Sequence, residues 1–191
     1  MYLKEQKIKA EIVNNFRKAA ADKGFKKVSL DRLAAEMGIS KKTVYKYFSG
    51  KEDLVAACLN EINEEMDKLV KDIFHAPHPS REMLVTALTK IFIQLSANVN
   101  IFQDLQRYYP ELWSTFEKRR EARIKFAERF IEKGIAAGQF HNINARVALS
   151  SYIAAVRTVI NLKFLKTHKI EFNEAYESLI TLFLNGFLTS P

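Results

Sequence analysis

Residues 24–54, GFKKVSLDRLAAEMGISKKTVYKYFSGKEDL, decide the fold of this chain. Ser29 precedes a short run of apolar residues at helical spacing, and a serine at that position favours a helix start. Gly38 then supplies the left-handed backbone that a tight turn requires, and Ser40 is placed to cap a second helix that ends near Tyr47. The stretch therefore predicts a helix-turn-helix motif, whose second helix enters the major groove of DNA.

The second helix of this motif has one apolar side and one cationic side. At about 100° per residue, turning Val44 inward places Phe48 beside it. The residues turned outward are Lys42, Thr43, Tyr45 and Lys46. We therefore expect an apolar anchor on one side of the helix and a free polar surface on the other.

A further helix is expected after Ser49, with Glu52 completing a capping box and Lys51 in the first turn. A lysine opposes the helix dipole at that end, which is unfavourable unless an anion lies nearby. A DNA phosphate is such an anion, so Lys51 is a candidate phosphate contact.

The same residues resemble the N-terminal DNA-binding domain of TetR-family transcription regulators. The matching series is Gly24-Phe25, Leu33, Ala34, Met37, Gly38-Ile39-Ser40, Thr43-Val44-Tyr45, Tyr47-Phe48, Lys51-Glu52 and Leu54. The chain departs from the family pattern at Lys42, where glycine is frequent, and Lys46 adds a second long cation. Residues 134–140, GIAAGQF, are similar to a helix-end pattern that is common in the family.

The resemblance implies a regulator that represses by blocking a promoter and that carries a ligand pocket in its C-terminal part. Occupancy of the pocket would shift the spacing of the two DNA-binding domains of a dimer. A ligand produces such a shift only through different affinities for the two conformations. The expected partners are double-stranded DNA, a second copy of the chain and a small-molecule effector.

The positive charge of the chain is concentrated in its first third. The formal net charge of the 191 residues is +8, and residues 1–60 hold 13 Lys and Arg against 7 Asp and Glu. The remaining residues hold 17 against 15. A solvated basic face would also produce this excess, but its coincidence with the helix-turn-helix motif favours DNA as the partner.

Cysteine usage and hydropathy argue against several classes of protein. The single cysteine, Cys58, excludes an intrachain disulfide framework and fits a reducing compartment. Its apolar neighbours predict a buried side chain rather than a redox sensor. We find neither a secretory signal nor a run of about 18 uncharged apolar residues. The expected location is the cytoplasm, without membrane insertion.

Helical spacing of apolar residues extends over nearly the whole chain, and strand alternation is absent. The predicted helices span about 3–23, 30–37, 41–47, 51–73, 80–97, 101–108, 110–137, 144–167 and 173–187. We predict an all-α fold of about nine helices. A three-helix helix-turn-helix DNA-binding domain occupies residues 1–52, and a helical effector-binding and dimerisation domain occupies residues 53–191.

The last two predicted helices lack the wide polar face of a surface helix. Arg157 is the only charged residue between Val147 and Leu162, and residues 179–188 have none. We infer that a second copy covers them, so that two helices from each subunit form a two-fold interface. The alternative is that they lie fully buried at the centre of a monomer.

The predicted DNA contacts divide into two groups. Lys42, Thr43 and Tyr45 are candidates for base edges, Lys41 for base or phosphate, and Lys46 extends the same exposed face. The candidates for phosphate contacts are Ser29, Ser40, Tyr47 and Lys51. Two alternatives remain open: the serines only cap helices, and Tyr47 packs partly into the core.

The effector pocket is harder to place, because the C-terminal part is rich in aromatic residues and most of these belong to the core. Arg157 stands out, since an ionised group buried in an apolar helix demands a counter-charge. That partner is either an anionic ligand, a glutamate or a residue across the dimer interface. The tentative pocket residues are Phe92, Trp113, Tyr152 and Arg157, for a largely apolar effector.

An enzyme is the rival class, and the sequence disfavours it. The four histidines have no metal-ligand spacing on a helix face, and no phosphate-binding glycine loop or nucleophile elbow occurs. We therefore expect no catalytic residues, metal or cofactor. A second alternative keeps DNA binding but replaces the small effector with a protein partner; a helical-bundle enzyme ranks below it.

Overall fold

The computed structural model describes residues 2–75, 78–159 and 161–187. These ranges contain no β-strand, so the predicted all-α class is confirmed. The elements are α1 (Tyr2–Lys23), a 3₁₀ turn (Phe25–Lys27), α2 (Leu30–Glu36), α3 (Lys41–Tyr47), α4 (Lys51–Phe74), α5 (Arg81–Ala97), α6 (Val99–Tyr108), α7 (Pro110–Ala136), α8 (Ala145–Val159), α9 (Leu162–His168) and α10 (Phe172–Phe187).

One predicted helix is two helices in the structure. The pattern from residue 144 to 167 predicts a continuous helix, but α8 ends at Val159 and α9 begins at Leu162. The side chain of Asn161 caps the new helix, because its Oδ1 accepts the backbone N–H groups of Lys163 and Phe164 at 2.9 and 3.4 Å. A short polar side chain that satisfies first-turn donors favours a new helix start over continuation.

The predicted capping box after Ser49 uses a different carboxylate. The Ser49 backbone N–H donates to Oδ2 of Asp53 at 2.9 Å, so Asp53 takes the role assigned to Glu52. Because α4 begins at Lys51, the residue three positions after Gly50 reaches back over the first turn. The helix start is as expected, and the assigned acid was wrong by one residue.

The chain groups into two compact units. Unit 1 comprises Met1–Glu65 and Ala97–Arg119, and unit 2 comprises Met66–Ser96 and Arg120–Pro191. Unit 1 thus includes the helix-turn-helix together with α6. These units are defined by contacts and not by function, so the boundary between a DNA-binding and an effector domain after residue 52 stays a prediction.

The core of unit 1 is built on aromatic packing behind the helix-turn-helix. Phe16 of α1 stacks on Phe25 with ring centroids 5.4 Å apart, and Tyr109 meets Phe25 edge-on at 6.2 Å. Arg17 joins α1 to α4 through two hydrogen bonds to Glu65, of 2.5 and 2.7 Å. This bidentate geometry is the stronger kind of ion pair, and it fixes α1 against α4.

Helix α6 holds the backbone that leads into the helix-turn-helix. Asp104 accepts the Lys26 backbone N–H at 2.8 Å, and the Asn100 amide donates to the carbonyl of Ala21 at 2.8 Å. Gly24 lies directly beside Asp104, and the backbone φ of Gly24 is +83°. A Cβ added there would come within 2.5 Å of the Asp104 Oδ2, so both the backbone angle and the space require glycine.

The core of unit 2 is apolar and aromatic. Phe74 packs on Phe130 with ring centroids 5.1 Å apart, and buried residues of α5, α8 and α10 extend the cluster. Arg123 is buried and forms a 2.7 Å ion pair with Asp67, which compensates its charge. Among the described residues, no single helix is long and apolar enough to cross a membrane, although α5 and α6 taken together reach that length.

Gly24→Ala is expected to lower the free energy of unfolding by more than about 2 kcal/mol, because it adds a steric clash to a strained backbone angle. Gly38→Ala is the control for a positive φ alone (+65°), since Gly38 has open space around its Cβ position; the excess loss at Gly24 reports the Asp104 contact together with the extended ψ of 156°. Urea unfolding of both variants measures the difference. Equal losses would show that the contact with Asp104 contributes nothing.

Candidate nucleic-acid interface

Helix α3 is anchored by two buried side chains and turns its polar residues to solvent. Val44 is fully buried and Phe48 is 2% exposed, whereas Tyr45 is 46% exposed. Lys41, Lys42 and Lys46 are also exposed, and Thr43 and Tyr47 are half-buried. The predicted inward residues and three of the four predicted outward ones agree with the structure, and the fourth, Thr43, is half-buried.

Both serines of the motif cap helices. Ser40 Oγ accepts the Thr43 backbone N–H at 3.0 Å and lies 2.8 Å from the Thr43 hydroxyl, and Ser29 Oγ accepts the Arg32 N–H at 3.4 Å. A serine hydroxyl that accepts a cap bond still has its own proton to donate. Capping and phosphate contact are therefore compatible, and the phosphate contacts of Ser29 and Ser40 stay predictions.

Two lysines of α3 are ion-paired with carboxylates on other helices. Lys41 Nζ lies 2.8 Å from Oδ1 of Asp31 on α2, and Lys46 Nζ lies 2.6 Å from Oε1 of Glu5 on α1. The hydrogen bond that each ammonium group donates to its carboxylate raises the pKa of that lysine above the ordinary value. Both ammonium groups therefore stay fully charged at neutral pH.

Lys51 occupies a different environment from the lysines of α3. It is half-buried, and its Nζ donates to the carbonyl of Lys26 at 3.0 Å. Desolvation lowers the pKa of Lys51, and the nearby Asp104 charge opposes that shift. An ammonium group has three donors, so a phosphate bond is compatible with the bond to Lys26, and this contact stays a prediction.

Sequence reasoning missed four polar residues that shape this region. Asp31 and Glu5 pair with α3, and Asn100 and Asp104 hold the backbone before α2. Glu5 and Lys46 are 41 positions apart, and Asp104 and Lys26 are 78 apart. No local pattern indicates contacts at such separations, so only the folded chain identifies these residues.

The candidate effector residues fall in both units. In unit 2, Phe92 stacks on Tyr176 with ring centroids 3.4 Å apart. Burial raises the pKa of Tyr152, and the charge and hydrogen bond of Tyr176 raise it further. Tyr176 thus neighbours both Phe92 and Tyr152. Trp113 belongs to unit 1, where it stacks on Phe116 at 5.6 Å.

Arg157 is exposed in the single chain, so it is not buried within one copy. Its predicted pairing with a ligand, a glutamate or a residue across the dimer interface stays a prediction. Periodicity placed it in an apolar helix, but it lies on the solvent side of α8. Of the four tentative residues, Tyr152 lines a described cavity, which has a volume of about 270 Å³ and includes Leu179, Leu182 and Phe183. The pocket assignment as a whole stays a prediction.

Two further observations concern metal ligands and the cysteine. No group of three or more His, Cys, Asp and Glu side chains in them is arranged to hold a metal ion. Cys58 is fully buried, and burial raises the pKa of its thiol to about 12. A thiol that stays protonated at neutral pH is a poor nucleophile, which agrees with the expected structural role.

Comparison with known proteins identifies the same region. Residues 13–58 match the family described as "Bacterial regulatory proteins, tetR family". The chain is 24% identical over 169 residues to the uncharacterized HTH-type transcriptional regulator YvaF of Bacillus subtilis, covering 86% of this chain and 87% of that protein.

Solved structures share the fold. A Saccharomonospora viridis protein in complex with choline has a TM-score of 0.81 at 14% identity, covering 97% of this chain and all of that one. The Bacillus subtilis regulator FadR in complex with stearoyl-CoA has a TM-score of 0.65 at 17% identity, covering 93% and 98%. At these identities the likeness concerns the fold.

The geometry of α2 and α3 and the matched region define an all-helical DNA-binding protein of the helix-turn-helix class. Within that class, residues 13–58 carry the DNA-binding domain of the tetR family, as the sequence predicted.

Tyr45→Ala is expected to weaken binding to a preferred DNA sequence by about 10- to 100-fold, since a good base contact contributes about 1–3 kcal/mol. The exposed position of Tyr45 means that helix content and unfolding midpoint should stay unchanged. Gel shifts with duplexes enriched from a random pool measure the effect. Tyr45→Phe keeps the ring and separates its contribution from that of the hydroxyl; unaltered binding by Tyr45→Ala would remove this residue from the interface.

Proposed function

We propose that this protein is a ligand-responsive repressor that binds a palindromic operator as a homodimer and is released by a small, largely apolar effector. The observation that carries the proposal is the face of α3, where Lys41, Lys42, Tyr45 and Lys46 are exposed around a buried Val44. Such a face offers cations for phosphates and an aromatic hydroxyl for base edges. Because its target is the genome, the proposed location is the cytoplasm of a bacterial cell.

The surface of α8 and α10 supports the homodimer. Val147 is 62% exposed and Leu182 is 74% exposed, and Ile143 beside them is 38% exposed. Leu182 and Ile143 also line the apolar cavity of about 270 Å³ that contains Tyr152. A second copy that packs its own α8 and α10 on this surface would bury these side chains in a two-fold interface. Burial of large apolar groups is favourable by about 25 cal/mol per Å².

Two observations support a small effector. Unit 2 contains a cluster of aromatic side chains around Tyr176, Phe92 and Tyr152. Two proteins of similar fold are known as complexes with small molecules, one with choline and one with stearoyl-CoA. Control by a protein partner is the alternative. A compound that raises the melting temperature by mass action favours the small effector over the protein.

Selection of DNA from a random pool tests the proposed mode of binding. We expect enriched duplexes to contain an inverted repeat whose half-sites are centred about 10 base pairs apart or a multiple of that, because the recognition helices of a dimer reach one face of the duplex. Sequencing of the retained fragments provides the measurement. Enrichment of single, unpaired half-sites would contradict a symmetric dimer, and no enrichment would contradict sequence-specific binding.

Leu182→Lys is expected to convert the dimer to a monomer, because it places a charge on the proposed interface. Ile93→Lys is the matched control, since Ile93 is 56% exposed on α5, outside the proposed surface. Light scattering coupled to size-exclusion chromatography reports the mass of each variant. A Leu182→Lys protein that remains dimeric, or an Ile93→Lys protein that dissociates equally, would place the interface elsewhere.

A further inference from the structure

Two lysines of the recognition helix α3 are paired with carboxylates of neighbouring helices. The Lys41 ammonium is held by Asp31 of α2, and the Lys46 ammonium is held by Glu5 of α1. The acids come from two different helices and reach opposite ends of the seven-residue α3, because Lys41 is its first residue and Lys46 its last but one. Both pairs therefore sit on the element that is proposed to meet DNA.

Both ion pairs lie at the surface. The side chains of Lys41 and Asp31 are 56% and 63% exposed, and those of Lys46 and Glu5 are 59% and 37% exposed. Lys41 Nζ lies 5.9 Å from the ring centre of Tyr45, and Lys46 Nζ lies 5.2 Å from that of Tyr47. The paired ammonium groups are thus neighbours of the two tyrosines that the interface is expected to use.

We propose that Asp31 and Glu5 restrain the affinity for DNA by competing with phosphate for Lys41 and Lys46. This inference rests on the proposed DNA binding. When α3 docks, each lysine exchanges a carboxylate for a phosphate, and the displaced carboxylate is left close to the negatively charged duplex. The two acids thereby limit how strongly the basic unit binds DNA of any sequence.

Two physical arguments support the exchange. A surface ion pair is weak, so a phosphate in the dense charge of a duplex can replace a carboxylate at little cost. Affinity for DNA also rises with the net positive charge that the protein brings to the phosphates, and a displaced carboxylate that stays close to the duplex reduces that charge. Removal of either acid should therefore increase both the affinity and its dependence on salt.

The experiment compares Glu5→Gln and Asp31→Asn with Glu11→Gln in the full-length chain. Glu11→Gln is the matched control, because it also removes one exposed charge from α1. At Glu11 it is the backbone carbonyl, and not the carboxylate, that accepts the Asn15 amide. The probe is a fluorescent duplex of unselected sequence, titrated by anisotropy at several salt concentrations.

At about 0.1 M salt, Glu5→Gln and Asp31→Asn are each expected to bind the duplex about 3- to 10-fold more tightly than wild type, with a salt slope steeper by up to about 0.9. Glu11→Gln should change the affinity by clearly less. In a Lys46→Gln background, Glu5→Gln should lose its advantage over Glu11→Gln, because its effect acts through that lysine. Circular dichroism of each variant verifies the fold.

Three results would overturn the inference. The first is that Glu5→Gln and Asp31→Asn behave like Glu11→Gln while wild type binds DNA, which leaves the proposed function intact. The second is weaker binding by these variants, which would mean that the acids position the lysines for DNA instead of competing with it. The third is the absence of DNA binding by wild type and all variants, which would overturn the proposed function as well.

Discussion

The burial of Val44 and Phe48 is the constraint on which the DNA-binding face depends. A helix of seven residues has little stability of its own, since nucleation is costly and only a few hydrogen bonds follow. Its position is therefore set by packing within unit 1, where both side chains are almost completely removed from solvent. Their burial determines which way Tyr45 and the lysines of α3 point. The burial of these two apolar side chains therefore fixes the geometry of the polar surface of α3.

The same unit secures the chain before the helix-turn-helix through polar bonds. Side chains of α6 bind backbone groups of Ala21 and Lys26, and the stacked rings of Phe16 and Phe25 lie in the core beneath them. Backbone donors and acceptors need partners wherever water is excluded. Because α6 supplies these partners, the helix-turn-helix is completed by residues that lie 78 and 79 positions further along the chain than the backbone groups they bind. This explains why α6 groups with unit 1.

Local patterns predicted most of the fold and the outward face of α3, because helix caps, turns and apolar spacing act over only a few residues. Pro110 at the start of α7 and the positive φ of Gly138 after its end are examples. Contacts between distant segments were not predictable in this way, and the pairing of Glu5 with Lys46 shows why. Arg157 shows a related limit: composition says that α8 is apolar, but only packing says which side of it is exposed in the single chain.

The buried state of Cys58 has a practical consequence for measurements of motion. It is the only cysteine of the chain, and a thiol with a pKa near 12 hardly reacts with maleimides at neutral pH. A cysteine introduced at a chosen surface position would therefore carry a spin label or dye without prior removal of the native one. Distances between labels on two introduced cysteines are then accessible in an otherwise unaltered protein.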